Sequence, residues 1–303
     1  MVSVIIPNYN HAQYLDERIQ SVLNQTYQDF EVIVLDDCST DNSLEIIYKY
    51  RNNPHISQIV VNEQNCGSPF KQWHKGFELA KGDLIWIAES DDYCEPDFLE
   101  KLISVMSKHE DCVIAFCKII SFNEKGERWI ATSDLLEEGV YDSFEFISKL
   151  MCLGTIIVNA SGAIFKKATA MSIDKEYMNY RGAGDRRFWT ELAECGSIVY
   201  VDCPLNYFRH HSQNSTAYNY EHGINQLEDL KTLNYIYHKG YIKKEKYDDC
   251  RNVYIEKRVL SIPNIFLRLE ILKKWEPIFI KRLQYLVLNK RIRFIIKRFF
   301  HIQ

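Results

Sequence analysis

The segment Leu84-Ile-Trp-Ile-Ala-Glu-Ser-Asp-Asp-Tyr93 decides the fold and the site that we predict for this chain. Its first five residues are apolar and follow Gly82, which is typical of a short strand buried on both faces. Three carboxylates come next within four positions, on Glu89, Asp91 and Asp92. Since side chains at i and i+2 of a strand lie on the same face, we expect Glu89 and Asp91 to project together from its carboxyl end.

Carboxylates this close repel each other unless a cation lies between them. Hard oxygen ligands suit Mg²⁺ and Mn²⁺, so the acidic segment predicts a divalent metal at the end of this strand. The alternative is an acidic loop in water, which needs no ligand. Polar segments at the ends of the neighbouring strands favour the metal site.

Strand and helix patterns alternate through the first half of the chain. Strands are predicted at 2–6, 30–35, 56–61 and 84–88, and helices at 11–25, about 39–50 and 70–80. This alternation predicts βαβ units and a largely parallel sheet, with ligands bound beyond the carboxyl ends of its strands. Three strands deliver polar clusters to that edge, at 7–10, 36–41 and 89–92. No GxGxxG or GxxxxGK[ST] loop follows the first strand, so neither a dinucleotide site nor a P-loop is indicated.

The composition is that of an ordinary globular protein. The 303 residues are 46% hydrophobic and 26% charged, and the net charge of −4 gives no case for nucleic-acid binding. No apolar run reaches the roughly 18 residues that a membrane span needs. The nine cysteines form no CxxC pair and no zinc-ligand pattern, and the first strand pattern begins at Val2 without a cleavable signal sequence. We therefore expect a cytoplasmic protein with reduced thiols.

Three motifs together resemble the family 2 glycosyltransferases, which have the GT-A fold, and the resemblance covers residues 1 to about 215. Val4-Ile-Ile-Pro-Asn-Tyr-Asn10 is similar to the opening strand of that family. Val34-Leu-Asp-Asp-Cys-Ser-Thr-Asp41 is similar to its Asp-Asp-Gly-Ser-Thr-Asp segment, with Cys38 in place of glycine. Residues 80–92 are similar to its acidic metal motif, with Glu89 in the first place of the usual Asp-x-Asp. A further departure is Gln72-Trp73-His74, where many relatives have Ala-Arg-Asn.

The resemblance implies an α/β protein with a Rossmann-like sheet, mixed but mostly parallel, that is flanked by helices. It implies inverting transfer of a sugar from a nucleotide-sugar donor, most often UDP-linked, to a hydroxyl of a saccharide or lipid-linked acceptor. Such transfer would serve cell-surface polysaccharide assembly and would be assisted by Mn²⁺ or Mg²⁺.

The resemblance also implies a donor side formed by the three motifs and a later arginine. Its members would be Pro7, Tyr9, Asn10, Asp36, Asp37, Glu89, Ser90, Asp91 and Arg209. Pro7, Tyr9 and Asp37 would line the base pocket, with Asp37 accepting a hydrogen bond from uracil N3. Asp91 would bind the metal. For Asp36 and Asp37 the structural alternative is simple helix capping.

The second half of the chain has to supply the base and the acceptor side. Arg181-Gly-Ala-Gly-Asp-Arg-Arg-Phe-Trp189 resembles the family segment in which an aspartate before an aromatic pair is the catalytic base, here Asp185. The alternative for Asp185 is the N-cap of a helix through Cys195. On the acceptor side we expect Trp189 together with Ser161 and Gly162 of a small-residue turn.

Arg209-His-His-Ser-Gln-Asn-Ser215 resembles the Arg-x-His-x-x-x-Ser element that closes the family's fold. On that resemblance Arg209 would offset the charge of the diphosphate, and His211 would contact the diphosphate or bind the metal. A lone histidine more often has a structural role, which is the alternative for His211.

From about residue 218 the pattern changes to long helices, so we predict a catalytic domain at 1–217 and a C-terminal helical region at 218–303. Residues 273–303 carry nine Lys or Arg against one acid, interleaved with aromatic and aliphatic residues. Such a basic amphipathic end indicates peripheral contact with the inner face of the cell membrane. The alternative is a helix packed on the catalytic domain with a solvated basic face.

Two other functions compete with sugar transfer. A sugar nucleotidyltransferase also uses an α/β nucleotide site and Mg²⁺, but it needs a glycine-rich basic loop after the first strand, which Pro7-Asn-Tyr-Asn10 does not provide. A non-catalytic sugar-nucleotide-binding protein would bind the donor without transfer, and the glutamate at position 89 keeps this alternative open.

Overall fold

The computed structural model describes residues 1–211 and 215–275, and ten strands of these residues form one sheet. The strands are β1 Val2–Asn8, β2 Phe30–Asp36, β3 Ile56–Val61, β4 Leu84–Ile87, β5 Tyr93–Cys94, β6 Cys112–Asn123, β7 Arg128–Ile130, β8 Gly139–Tyr141, β9 Ala163–Lys166 and β10 Ser197–His210. The helices are α1 Ala12–Leu23, α2 Ser43–Lys49, α3 Pro69–Leu79, α4 Phe98–Met106, α5 Ser143–Glu145, α6 Lys167–Ser172, α7 Gly184–Ala193, α8 Ser215–Glu221, α9 Ile224–His238, α10 Lys244–Tyr254 and α11 Ile265–Trp275. Short π-helical segments, Phe146–Met151 and Ile255–Val259, extend α5 and α10, and 3₁₀ turns lie at Ala160–Gly162 and Glu176–Asn179.

The strand order is β3-β2-β1-β4-β9-β6-β10-β5, with β7 on β6 and β8 on β10. Strands β3, β2, β1 and β4 are parallel, β9 runs antiparallel between β4 and β6, and β10 is parallel to β6. The predicted mixed, mostly parallel sheet with flanking helices is therefore confirmed. Asn8 pairs with Asp36 and Ile5 with Ile87, so β1, β2 and β4 end at the same edge of the sheet.

Helices cover both faces of the sheet, which explains why the central strands are apolar throughout. Along β1, Val4 packs on one face with residues of α1 and α4, whereas Ile5 packs on the other face with residues of α3 and α7. All seven residues of β1 and of β2 are buried. A strand buried on both faces gains from an uninterrupted apolar run rather than an alternating one.

The helices after residue 215 pack on the same core. Leu230 and Leu233 of α9 belong to the hydrophobic cluster that contains Phe188 and Leu192 of α7. The division at residue 217 stays a prediction, but these helices share their apolar contacts with the sheet domain. Most of the predicted basic end, from residue 276 onward, lies outside the described residues. Within the described part of the chain, no helix combines the length and apolar character that a membrane crossing requires.

The apolar patterns at 198–201 and 205–208 each predict a short strand, separated by Pro204, but the structure has one strand there. Strand β10 continues through both, and its pairing with β6 shifts register around Pro204. Proline has no N–H to donate, so it interrupts the ladder and marks a bulge without ending the strand. Sequence patterns treat such a proline as a strand end.

Cys38, in the family's glycine position, adopts a left-handed conformation with φ of 65°. A residue with a Cβ loses about 1–2 kcal/mol there. Its thiol lies 3.6 Å from the carbonyl oxygen of Glu63.

We expect Cys38→Gly to raise the free energy of unfolding by about 0.5–1 kcal/mol, because relief of the strain exceeds the extra chain entropy of glycine, about 0.4–1 kcal/mol. Urea denaturation at equilibrium measures the change. The matched control is Cys38→Ala, which keeps the strained backbone and should stay within about 0.5 kcal/mol of the parent. A Cys38→Gly protein less stable than the parent would show that the loop carries no such strain.

Candidate active site

The carboxyl ends of β1, β2 and β4 open into a cavity of about 770 Å³. Eight of the residues predicted for the site line it: Pro7, Tyr9, Asn10, Asp37, Glu89, Ser90, Asp91 and Asp185. The structure therefore brings the acids of two strand ends, β2 and β4, and of the α7 start to one cleft beside the polar loop after β1. The sequence analysis did not select several other lining residues, among them His11, Asn65, Gln72, Trp73, Arg181, Phe208 and Asn219.

The loop after β1 is tied to the loop after β2. Asn10 has a left-handed φ of 57°, which asparagine tolerates better than most residues. Its side-chain oxygen accepts a hydrogen bond from the Thr40 N–H at 2.7 Å, and its own N–H donates to Ser39 Oγ at 3.0 Å. Tyr9, the residue before it, keeps 45% of its surface exposed at the cavity rim.

Asp36 does not line the cavity, so its predicted contact with a donor is not supported. It is fully buried and accepts hydrogen bonds from Asn8 Nδ2 at 2.8 Å and from the N–H and Oγ of Ser39. Asp36 is the last residue of β2, and its side chain lies beneath the two loops that it joins. Its role is to hold them together.

Asp37 does line the cavity, and several donors fix its carboxylate. Oδ1 accepts from Asn62 Nδ2 at 2.6 Å and from Gln72 Nε2 at 2.7 Å. Oδ2 accepts from the Cys66 N–H and thiol, both at 3.1 Å. Helix α3 and the loop before it thus hold this acid at the cavity wall.

Glu89 and Asp91 line the same cavity but have different partners. Strand β4 ends at Ile87, and the Asp92 N–H donates to the Glu89 carbonyl in a turn. The strand geometry from which we expected the two carboxylates to project side by side therefore does not extend to them. Glu89 Oε1 accepts from Trp73 Nε1 at 2.9 Å. Burial raises the pKa of Glu89 to about 8, with a further contribution from the charge of Asp91, so Glu89 is protonated at neutral pH.

Asp91 forms a cluster with two histidines, His11 and His211. Asp91 Oδ2 lies 3.0 Å from His211 Nε2, and one ligand atom from each of the three side chains lies within 4.8 Å of the others. His11 Nδ1 lies 2.8 Å from Ser90 Oγ, which leaves Nε2 of this ring available. His11 is a site residue that the sequence analysis missed, although its position directly after Asn10 at the end of β1 was a usable signal.

The pKa values of Asp91 and His11 are shifted toward the forms that bind metals. Burial favours the neutral carboxyl of Asp91, but the hydrogen bond from His211 and the charges of His11 and His211 outweigh it and hold the pKa of Asp91 below its usual value. Burial lowers the pKa of His11. An ionised carboxylate and neutral imidazole are the forms that bind metals. The 3.0 Å between Asp91 and His211 is also about the spacing of adjacent ligands around a cation with bonds of about 2.1 Å.

Asp92 is fully buried below the cavity and organises its floor. It accepts hydrogen bonds from Asn159 Nδ2 at 2.9 Å, Ser161 Oγ at 2.7 Å and the Arg209 N–H at 3.0 Å. The guanidinium of Arg18, also fully buried, lies 3.8 Å away. Burial and the neighbouring Asp91 raise the pKa of Asp92 to about 6.

None of the three predicted acceptor-side residues lines the cavity. Ser161 is fully buried and, besides bonding Asp92, accepts from the Glu89 N–H at 3.0 Å. A Cβ on Gly162 would lie 2.2 Å from Ile119 Cδ1, so this glycine serves close packing in the core. Trp189 is fully buried against Phe165 and Phe188. Other residues line the cavity instead, among them Val158, Asn159, Ala160, Arg181, Gly182 and Asn219.

Arg209 also stands outside the cavity lining. Its Nε donates to the Asp91 carbonyl at 2.8 Å, and its guanidinium forms an ion pair with Glu17. The same group lies over the rings of Tyr14 and Phe122, at 4.6 and 4.5 Å. Arg209 therefore supports the backbone of the acidic turn, and its predicted contact with a diphosphate is not supported.

Asp185 lies in the first turn of α7 and faces the cavity. The N-cap of this helix is Ala183, so the alternative interpretation of Asp185 as the N-cap is wrong. Its Oδ1 accepts from the Arg186 N–H at 2.8 Å. Burial raises the pKa of Asp185 to about 7; the N–H and charge of Arg186 oppose this, and the charges of Asp229 and Glu228 add to it. A carboxylate with this pKa can take up a proton near neutral pH.

Residues 3–169, more than half of the chain, match the family described as Glycosyl transferase family 2, and the chain belongs to that family. An uncharacterized glycosyltransferase of Haemophilus influenzae is 28% identical over 237 residues, which cover 73% of this chain and 69% of that protein. The poly(ribitol-phosphate) beta-N-acetylglucosaminyltransferase TarS of Staphylococcus aureus is 36% identical over 128 residues, 41% of this chain and 22% of TarS. Glycosyltransferase GlyG of Streptococcus pneumoniae is 37% identical over 115 residues, 38% of each chain. The match thus spans less than half the length of the last two relatives.

Solved structures with the same fold include S. aureus TarS 1–349 in complex with UDP-GlcNAc, with a TM-score of 0.65, 21% identity, and coverage of 86% of this chain and 74% of that chain. The mannosyltransferase PcManGT of Pyrobaculum calidifontis, in complex with GDP-Man and Mn²⁺, has a TM-score of 0.59, 15% identity, and coverage of 98% and 83%. At these identities the likeness shows the fold alone. The predicted family and GT-A fold are confirmed.

The floor of the site gives a prediction about stability. Arg18→Met should lower the free energy of unfolding by about 3–5 kcal/mol, because it leaves Asp92 buried without its cation. The folded-state pKa of Asp92, about 6, lies above its ordinary 3.8, so folding favours the protonated carboxyl and stability falls as pH rises toward 6. Without Arg18 this pKa should rise further, so the loss should be greater at pH 8 than at pH 5.

Equilibrium denaturation at both pH values measures the effect. The matched control is Arg51→Met at an exposed position, which should change stability by less than about 0.5 kcal/mol. An equal loss at the two pH values would show that Asp92 does not titrate in response to Arg18.

Proposed function

We propose that this chain is an inverting glycosyltransferase that moves a sugar from a UDP-linked donor to a hydroxyl group of a saccharide or lipid-linked acceptor with a divalent metal. The observation that carries the proposal is the shared cavity, which is lined by Asp37, His11, Asp91 and Asp185. His211 is not among the lining residues, but its Nε2 lies 3.0 Å from Asp91 Oδ2 and completes the cluster. Family membership supports the reaction class. TarS, which has the same fold, binds UDP-GlcNAc, and this supports a nucleotide-sugar donor. PcManGT, which also has this fold, binds GDP-Man and Mn²⁺, and this supports both a nucleotide-sugar donor and a metal.

The nucleotide base would bind beside Pro7, Tyr9 and Asp37. A carboxylate has about four acceptor sites, and Asp37 uses them on protein donors, of which the Cys66 thiol is the weakest. An N–H of the base, such as uracil N3–H, would displace the thiol from Oδ2. Tyr9 at the rim offers a partly exposed ring for the base or ribose to pack on.

His11, Asp91 and His211 would hold the metal. Two imidazole nitrogens and one carboxylate oxygen suit Mn²⁺ better than Mg²⁺, which prefers oxygen ligands. When bound, the cation offsets the negative charge that develops on the departing diphosphate. Glu89, which is protonated and bonded to Trp73, would serve as an uncharged hydrogen-bond partner of the donor rather than as a ligand.

Asp185 would be the general base. It lines the same cavity as Arg181 and Asn219, where an acceptor hydroxyl would approach. As that hydroxyl attacks the anomeric carbon, Asp185 takes up its proton, and attack opposite the leaving group inverts the configuration. One positioned carboxylate suffices for this step.

Asp185→Asn should lower the turnover number by about 10²–10⁴, the range that a positioned general base contributes, and leave donor affinity within about threefold. In the parent the rate should rise with pH across about 7, because below that pH Asp185 already holds a proton. A thermal-shift screen of UDP-, GDP- and dTDP-sugars with Mn²⁺ identifies the donor. Turnover is then measured by release of the nucleoside diphosphate, and donor affinity is measured by calorimetry. Normal turnover in Asp185→Asn would rule out this base. Donor binding by the parent without any release would instead favour the non-catalytic alternative.

His11→Ala should weaken Mn²⁺ binding at least tenfold, because even outer-shell partners of a metal contribute about 10–100-fold. Electron paramagnetic resonance of free Mn²⁺ in a titration measures the affinity without any substrate. The matched control is His210→Ala, which removes the neighbouring histidine. His210 Nε2 lies 3.0 Å from Ser121 Oγ, and His210 does not belong to the cluster. Unchanged Mn²⁺ affinity in His11→Ala would exclude His11 as a ligand.

A further inference from the structure

One carboxylate from the C-terminal helices holds the chain segment that precedes Asp185. Glu228, on α9, accepts hydrogen bonds from three consecutive backbone N–H groups. Arg181 N–H lies 2.8 Å from Oε1, and Gly182 and Ala183 N–H lie 2.9 and 2.8 Å from Oε2. Glu228 itself is buried, with 7% of its surface exposed.

The three residues that carry these N–H groups, 181–183, directly precede α7, the helix that contains Asp185. Backbone N–H groups at the start of a helix lack partners within it and are usually capped by a local side chain. The N-cap residue of α7 is Ala183, which has no side-chain acceptor, and no side chain of the cap position bonds the helix. Glu228 therefore supplies from another element the acceptors that this segment lacks, and its negative charge lies at the favourable end of the helix dipole.

The same segment is packed against α8 and α9 by contacts that leave it little freedom. A Cβ on Gly182 would lie 1.7 Å from Asn225 Oδ1, so α9 packs directly on the glycine backbone. Asn219 Nδ2 donates to the Arg181 carbonyl at 3.3 Å. Asn219, Arg181 and Gly182 all line the cavity. The C-terminal helices thus build part of the cavity wall.

We propose that Glu228 is a positioning residue for the transfer step, which sets the orientation of Asp185 in the cavity by fixing the backbone of residues 181–183. This inference rests on the proposed function, in which Asp185 is the base. It assigns to the helices after residue 215 a part of the active site. Burial is the main cause of the raised pKa of Asp185, and the negative charge of Glu228 contributes to it. This contribution is expected when the two carboxyl groups lie near each other.

The test is Glu228→Gln. The amide group of glutamine would face backbone N–H donors, so at least one of the three N–H groups loses its acceptor. We expect the turnover number to fall about 10–100-fold, since a shift of about 1 Å in a catalytic group can cost about 10²-fold. The KM for the donor and the affinity for Mn²⁺ should stay within about twofold of the parent values, because the donor and the metal would bind at the ends of β1, β2 and β4. Hydrogen exchange at the amides of 181–183 should accelerate at least tenfold.

Two further variants keep the test decisive if Glu228→Gln folds poorly. Gly182→Ala displaces the same segment through a clash with Asn225 of α9 and should show the same loss of turnover with an unchanged donor KM. Glu228→Asp keeps the charge and both oxygens and should retain more turnover than Glu228→Gln. The matched control is Glu194→Gln, at the far end of α7, where Glu194 accepts from Tyr235 Oη of α9 at 2.8 Å; its turnover should stay within about twofold of the parent.

The outcomes separate this inference from the proposed function. Normal turnover in both Glu228→Gln and Gly182→Ala, with Asp185→Asn inactive, overturns the positioning role and leaves Asp185 as the base. Normal turnover in Asp185→Asn overturns both. A parallel loss of turnover, donor affinity and melting temperature in Glu228→Gln, or unchanged hydrogen exchange at 181–183, assigns Glu228 to general stability and overturns the inference.

Discussion

The buried carboxylate of Asp92 is the constraint on which the rest of the site depends. A charge removed from water needs compensation. Asp92 obtains it from the guanidinium of Arg18 and from three hydrogen-bond donors, on Asn159, Ser161 and Arg209. These partners come from α1, from the turn before β9 and from the end of β10. By satisfying one acid, the fold fixes three separate segments beneath the cavity. A residue in the acidic motif can therefore matter to the site without contacting any substrate.

The neighbouring acids show how environment assigns different chemistry to similar groups. Asp91 stays ionised beside two histidines, whereas burial keeps Glu89 protonated beside an indole N–H. Asp185, on another element, has a pKa of about 7. The three carboxyl groups thus differ in charge at neutral pH within one cavity, which suits a site that must bind a cation, hydrogen-bond a neutral sugar and accept a proton.

Local sequence patterns predicted the fold and the convergence of acids, but not which side chains face the cavity. The ends of β1, β2 and β4 meet because parallel strands in register must end together, and that follows from the strand and helix periods alone. Whether a given side chain faces the cavity depends on turns of two or three residues and on contacts between distant segments. Asp36 points beneath its loop, and Trp189 packs in the core. Glu228 lies 43 residues after Asp185 in the sequence, so no local pattern connects them.

Two departures from the family pattern are explained by a single contact. The chain has Glu89 in the first place of the acidic motif and Trp73 within Gln72-Trp73-His74, and Trp73 Nε1 donates to Glu89 Oε1 at 2.9 Å. Aspartate is one methylene shorter, so at position 89 it would leave the buried indole N–H without this acceptor, which is unfavourable. Gln72, beside Trp73, instead bonds Asp37 at the other wall. Helix α3 therefore joins the proposed base pocket to the acidic motif, and changes at either departure should be compensated by changes at the other.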